Sequence, residues 1–229
     1  MSYDYLSKSV KYGSKMDNES SPNHSGNVLV VEDDQSLRSA IGSALKIRGI
    51  DYLEFENASE VSVVLRGGSV TKPTCMLLDI RLGPGPSGLS VFDEISELGL
   101  TTRIPVIFMT GHGDLETAVD VMRSGACDFV TKPFSTPDLM KKIETALTAS
   151  ALANRQAIEE QRIRSLTEQL TDKESEVMRL MVEGKTNREI AEICGNSTRT
   201  VELHRARVFD KLEVSNAVEL VRVLGALEK

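Results

Sequence analysis

Glu32, Asp33 and Asp34 follow directly on the apolar run "VLVV" at Val28–Val31. Three adjacent carboxylates repel one another, so something nearby must neutralise them. Three further apolar runs end in polar residues of distinct kinds. Asp79 closes one in "MLLDIRL", Thr110 another in "VIFMTGHGD", and Lys132, followed by Pro133, a third in "DFVTKPF". Clustered carboxylates are hard oxygen ligands, and Mg²⁺ takes one or two of them with backbone oxygens and waters. A carboxylate is also a nucleophile toward phosphoryl groups. The charge on a transferred group would be met by a cation, a lysine and a hydroxyl. A lone aspartate at a strand end more often caps a turn or a helix, and Asp34, just before a helical pattern, reads as such a cap. Glu32, Asp33, Asp79, Thr110 and Lys132 together are hard to explain in that way.

The elements that must bring these groups together alternate. Val/Ile/Leu-rich runs predict strands at Val28–Val31, Tyr52–Phe55, Cys75–Leu78, Ile104–Met109 and Phe129–Thr131. Helical patterns lie between them at Gln35–Lys46, Ala58–Leu65, Leu89–Leu98 and Leu115–Ser124. Such alternation predicts a doubly wound, five-stranded parallel sheet with helices on both faces. Near-continuous apolar strands fit burial on both sides. In a parallel sheet the carboxyl ends of the strands share one edge, where ligands bind. The five groups above all fall on that edge.

The second half of the chain differs. All seven prolines lie at or before Pro137, and Asp138–Glu183 contains neither Gly nor Pro. Residues from Ser135 to about Leu170 therefore read as one long helix or two nearly continuous ones. Ile143, Leu147, Ala151, Ile158, Ile163, Leu166 and Leu170 form an imperfect apolar stripe along it. A coiled-coil-like dimer contact and packing back on the protein's own domains both remain open for it. Thr171 with Glu174 predicts a capping box, Gly184 and Gly195 end short helices, and Ser197–Leu212 and Ser215–Leu227 read as two more. Four helices with tight Gly turns are a helix-turn-helix pattern.

Composition narrows the function classes. The net charge of the chain is −7. From Gly26 to Thr145 eleven Lys and Arg stand against seventeen Asp and Glu, a net of −6, whereas from Thr171 to Lys229 ten stand against eleven, a net of −1. Any nucleic-acid contact must therefore rest on local charge. Cys75, Cys127 and Cys194 are odd in number and far apart, so neither a disulfide framework nor a metal site is expected; they read as small core residues in a reducing compartment. No apolar run reaches membrane-spanning length, and polar Met1–Ser25 has no signal-peptide core. It reads as a flexible tail, and the protein as cytoplasmic with no membrane partner.

"VLVVEDD", "LLDIRL", "MTGHGD" and "SGACDFVTKPF" resemble the receiver domain of two-component response regulators, over about Asn27 to Leu147. The resemblance implies a flavodoxin-like fold and Asp79 as the phosphoacceptor for a partner histidine kinase. It implies Mg²⁺ held by Glu32, Asp33, Asp79 and the backbone carbonyl of Arg81, with Glu32 acting through water. It assigns phosphoryl contact and switching to Thr110, Gly111, Lys132 and Phe129, and a cis bond to Lys132–Pro133. Two departures stand out: Glu32 replaces a common Asp, and the loop "RLGPGPSG" is one residue longer than expected. Haloacid-dehalogenase-like phosphatases share the Asp nucleophile, but they need a second Asp two residues later as general acid. Arg81 stands there and cannot release a proton, so no enzyme is expected.

"GKTNREIA" and "STRTVELHRARV" resemble the LuxR-type helix-turn-helix, over Leu170 to about Leu224. With the receiver they imply a NarL/FixJ-type transcription factor, of the FixJ-like branch. In Ser197–Leu212, Arg199, Arg205, Arg207 and Lys211 stand against Glu202 and Asp210. Val201, Val208 and Leu212 share the core face by spacing. Base-edge contacts are expected from Glu202, Leu203, Arg205 and Ala206. Phosphate contacts are expected from Lys185, Arg188, Thr198, Arg199, Thr200, His204 and Lys211. The expected organisation is a tail at 1–25, a receiver at 26–147, a helical linker at 148–169 and an all-α four-helix DNA-binding domain at 170–229. Phosphorylation would favour a homodimer on double-stranded DNA. The alternative is a receiver-controlled module whose helices bind protein and not DNA.

Overall fold

A computed structural model describes residues 26–67, 72–111 and 115–225. The expected tail, Met1–Ser25, lies outside the described residues. The chain divides into two compact units between Asn154 and Arg155, and each is taken by itself.

The first unit is the expected parallel sheet. Its strands are β1 (Asn27–Val31), β2 (Asp51–Phe55), β3 (Thr74–Asp79), β4 (Val106–Thr110) and β5 (Asp128–Thr131), in the order β2-β1-β3-β4-β5. Its helices are α1 (Gln35–Ile47), α2 (Ala58–Gly67), α3 (Gly88–Glu97) and α4 (Leu115–Arg123), and α5 starts at Thr136. The apolar runs split by alternation into two cores. Leu29, Val31, Met76, Leu78 and Phe108 pack with Val61 of α2 and Val91 and Ile95 of α3. Val28, Val30, Leu77, Ile107 and Met109 pack on the other face with Ile41 and Leu45 of α1 and Leu139 and Ile143 of α5. The strand expected from Ile104 begins two residues later. The Ile104 amide closes a turn on the Leu100 carbonyl at 2.7 Å, and Pro105 has no amide to offer a ladder. All three cysteines are free, but only Cys75 is buried; Cys127 is exposed and Cys194 half-buried.

α5 runs from Thr136 to Thr167 as a single helix. The expected apolar stripe holds only in part: Ile143, Leu147 and Ile163 are buried, whereas Ile158 is 62% exposed. Two polar residues of α5, Ser150 and Asn154, are buried instead. Ser150 Oγ accepts from the Thr74 amide at 2.8 Å and donates to the Arg103 carbonyl at 2.6 Å. Asn154 Oδ1 accepts from Arg103 Nε at 2.8 Å, and its Nδ2 donates to the Lys72 carbonyl at 3.2 Å. Both sit at the amino-terminal edge of the sheet.

The second unit holds α6 (Asp172–Val182), α7 (Asn187–Cys194), α8 (Thr198–Lys211) and α9 (Ala217–Leu224). The expected capping box of Thr171 and Glu174 is present, and Thr186 with Glu189 forms another. Gly195 ends α7 in the left-handed region, at φ 64°, which glycine enters without strain. Val177, Leu180, Ile190, Val201, Val208, Leu212 and Leu220 form the core. Val201, Val208 and Leu212 face it as their spacing predicts. α9 begins at Ala217, later than expected, because Asn216 caps it by accepting from the Glu219 amide at 2.9 Å.

Candidate functional site

The strand order places the ends of β1, β3, β4 and β5 side by side at the carboxyl edge. Asp79 closes β3 opposite Met109, and Thr110 closes β4 opposite Thr131. Lys132 follows β5 directly, and its amide donates to the Thr110 carbonyl at 2.7 Å. The Lys132–Pro133 bond is cis. Oxygens of Glu32, Asp33 and Asp79 all lie within 4.8 Å of one another. Asp34 is not part of this group. Its Oδ1 accepts from the amides of Ser36 and Leu37 at 2.7 and 3.0 Å, capping α1 as expected, and these amides hold its carboxyl below the usual range.

Lys132 bridges the cluster. Its Nζ lies 2.6 Å from Glu32 Oε2 and 2.7 Å from Asp79 Oδ2. Glu32 thus meets Lys132 directly. Burial pushes the Glu32 carboxyl up to about 7; the charge of Asp79 adds to this and Lys132 opposes it. Burial draws the Lys132 ammonium down, but hydrogen bonds from it to Asp79 and Glu32 outweigh that and hold it above its usual value. Asp33 is exposed and its Oδ2 accepts from the Gly83 amide at 3.1 Å, so the longer loop after β3 folds onto it. Asp79 Oδ1 accepts from the Arg81 amide at 3.2 Å. Thr110 is fully buried, and its hydroxyl has no hydrogen-bond partner among the described residues. An unpaired buried hydroxyl is unfavourable, and this one sits at the end of the strand beside Asp79. Gly111 is half-buried, and Phe129, half-buried, packs on the α2/α3 core.

Two contributors carried no sequence signal. Arg38 of α1 binds the carbonyls of Glu32 and Asp33. Gly88, the first residue of α3, lies so close to β3 that a Cβ there would sit 2.0 Å from the Asp79 carbonyl oxygen.

On α8, Ser197 caps the helix start and binds Thr200 through both the amide and the hydroxyl. Thr198, Arg199, Glu202, Leu203 and Ala206 are exposed, with Arg207 beside them. His204 and Arg205 are half-buried, and the Arg205 guanidinium lies 5.8 Å over the Phe209 ring. Lys185 is half-buried, and exposed Arg188 pairs with Glu192 at 3.3 Å. Lys211, expected to contact phosphate, has partners within its own unit. Its Nζ donates to Glu174 Oε2 at 2.6 Å and to the Gln169 carbonyl at 3.0 Å. It therefore ties the end of α8 to the start of α6. A positive charge at a helix end serves an internal carboxylate as well as it serves a phosphate, and the sequence does not separate the two.

That pair predicts an acid response. The Lys211 ammonium, then the Thr171 amide, hold the Glu174 carboxyl down at about 2. A depressed carboxylate contributes stability that is fully present above its unfolded value near 4.5 and is lost as pH falls through the folded value. The second unit is expected to weaken between about pH 4.5 and 2. Glu174→Gln should flatten that part of a chemical-denaturation profile against pH; an unchanged profile would remove Glu174 from the account.

Two family models match the chain: the response regulator receiver domain over residues 28–144, and the luxR family of bacterial regulatory proteins over residues 168–224. The chain is a two-component response regulator. This response regulator is similar to nodulation protein W of Bradyrhizobium diazoefficiens, 34% identical over 87% of this chain and 86% of that protein. It is 36% identical to the tetrathionate response regulatory protein TtrR of Salmonella typhimurium, over 85% and 90% of the two chains. It is 33% identical to the transcriptional regulatory protein FixJ of Azorhizobium caulinodans, over 86% and 90%. Among solved structures, response regulator StyR matches with a TM-score of 0.75 at 30% identity, over 88% of this chain and 98% of that one. Full-length FixJ from B. japonicum matches with a TM-score of 0.53 at 30% identity, over 89% and 97%. The response regulator thus joins a receiver, the target of a histidine kinase, to a DNA-binding domain of the NarL/FixJ type, and its family regulates transcription and is not enzymatic. Among the described residues no helix is long and apolar enough to cross a membrane.

Proposed function

We propose that Asp79 accepts a phosphoryl group from a histidine kinase and that this controls DNA binding by the second unit. In the transfer a carboxylate oxygen of Asp79 bonds to phosphorus, the phosphorus–nitrogen bond of the phosphohistidine breaks, and the imidazole leaves with a proton. The single observation that carries this reading is the meeting of Asp79, Lys132 and the unpartnered Thr110 hydroxyl at one sheet edge. Lys132 offsets charge on the phosphoryl oxygens, and Thr110 gains from them the partner it lacks. Phe129 follows Thr110 inward, with the Gly111 backbone beside the same group. Glu32, Asp33, Asp79 and the Arg81 carbonyl would hold Mg²⁺; an all-oxygen set of three carboxylates fits a hard cation. Bound there, the cation supplies charge neutralisation for the entering phosphoryl group.

The resulting change at α4, β5 and α5 favours a homodimer, which sets two α8 helices on a two-fold operator. Glu202, Leu203, Arg205 and Ala206 read base edges. Lys185, Arg188, Thr198, Arg199, Thr200, His204 and Lys211 hold phosphates. The working division is a receiver to about residue 147 and a DNA-binding domain from about residue 170, in a cytoplasmic protein. Beryllofluoride with Mg²⁺ should raise both the fraction of dimer and the DNA affinity; if neither moves, the control mechanism fails. Arg199→Ala should weaken binding to all sequences alike and reduce the slope of log affinity against log salt by about 1, as measured by fluorescence anisotropy.

A further inference from the structure

Arg38 lies in the first turn of α1, and its guanidinium folds back over the helix start. Its Nη1 donates to the Glu32 carbonyl and, at 3.2 Å, to the Asp33 carbonyl. Its Nη2 is 3.9 Å from Glu56 Oε2. The Arg38 side chain is only 11% exposed while that of Glu56 is 68% exposed. A long pair to an exposed carboxylate holds little, whereas a charged donor on two carbonyls holds well. The side chain of Glu32 is meanwhile committed to Lys132 and that of Asp33 to the Gly83 amide. Arg38 thus holds both carbonyls of the segment that carries those two carboxylates.

We infer that Arg38 is a positioning residue for the cation site: it fixes the peptide carrying Glu32 and Asp33 and so sets the affinity of the three carboxylates for a divalent cation. It touches neither the cation nor the phosphoryl group. The inference rests on the reading of Glu32, Asp33 and Asp79 as that site. Two effects of Arg38 on the site have opposite signs. Its charge repels a cation, so an arginine acting only through charge would tighten binding when removed. An arginine that holds the ligands in place would weaken binding when removed, as lost outer-shell partners of a metal site do, by roughly 10-fold.

The test is calorimetric titration of the full chain with Mg²⁺, with far-ultraviolet circular dichroism as the folding control. Arg38→Met is expected to bind about 10-fold more weakly than the wild type. Arg38→Lys, which keeps the charge and one donor, should recover most of the affinity. Arg38→Gln, with a neutral donor, should fall between them and serves if Arg38→Met does not fold. A folded Arg38→Met or Arg38→Gln protein that binds Mg²⁺ as tightly as the wild type, or more tightly, overturns the inference alone. A wild-type chain that does not bind Mg²⁺ overturns the reading of the site, and the inference with it.

Discussion

Asp79→Ala is expected to carry no phosphoryl group after incubation with acetyl phosphate and Mg²⁺, under conditions in which the wild type is labelled. Only Asp79 of the cluster combines the strand-end position with contacts to both Lys132 and the Arg81 amide. Glu32 is buried with its carboxyl raised, and Asp33 is held by Gly83. The substitution should leave the fold intact. Lys132 keeps Glu32 as a partner at 2.6 Å, and removing one carboxylate relieves repulsion among the remaining acids. The thermal midpoint is therefore expected not to fall. Intact-mass measurement decides the matter: labelling of the variant to wild-type stoichiometry would place the acceptor elsewhere.

Gly88→Ala should cost the first unit much of its stability. The new Cβ would meet the Asp79 carbonyl oxygen at 2.0 Å and the Leu78 side chain at 3.2 Å. The nearer atom is backbone in the buried central strand β3, and it cannot turn away as a side chain can. Over-packing of this kind costs about 3 kcal/mol, or roughly 6–12 °C in melting temperature for a chain of this size. Because the strand must shift where it carries Asp79, phosphorylation should slow as well. Gly67→Ala is the control. Nothing lies within 4 Å of its Cβ position and its φ is ordinary, so stability should hold or rise slightly. Equal melting temperatures for the two variants would refute the close-approach argument.

The difference between these two residues marks what a sequence can disclose. Asp79 was legible because buried parallel strands are continuous apolar runs and topology places their ends together. Glu32, Asp33, Thr110 and Lys132 were found by the same reasoning, and Asp34 by local capping chemistry. Long-range partners were not legible. Nothing around Gly88 says that its missing side chain makes room for a carbonyl of β3. Arg38 resembles any exposed helix arginine until it is seen on two carbonyls. Ser150 and Asn154 are polar and are not among the residues of the apolar stripe, yet they are buried, and Ile158, read as part of that stripe, is exposed. The internal partner of Lys211 was not legible for a related reason. The charge of Lys211 was counted correctly, but its partner, Glu174, stands 37 residues away.

Ser150 and Asn154 also bear on where the protein can be cut. The hydroxyl of Ser150 satisfies the buried amide of Thr74 and the carbonyl of Arg103, and Asn154 satisfies Arg103 and Lys72. A fragment ending at residue 147 would remove Ser150 from the buried Thr74 amide, and a buried donor left bare costs on the order of 1–3 kcal/mol. A fragment of the first unit that retains Asn154 is therefore expected to be more stable than one ending at residue 147. Hybrid regulators joined after Asn154 keep the contacts of Ser150 and Asn154, whereas those joined where the sheet's last strand and first helical turns already look complete lose them.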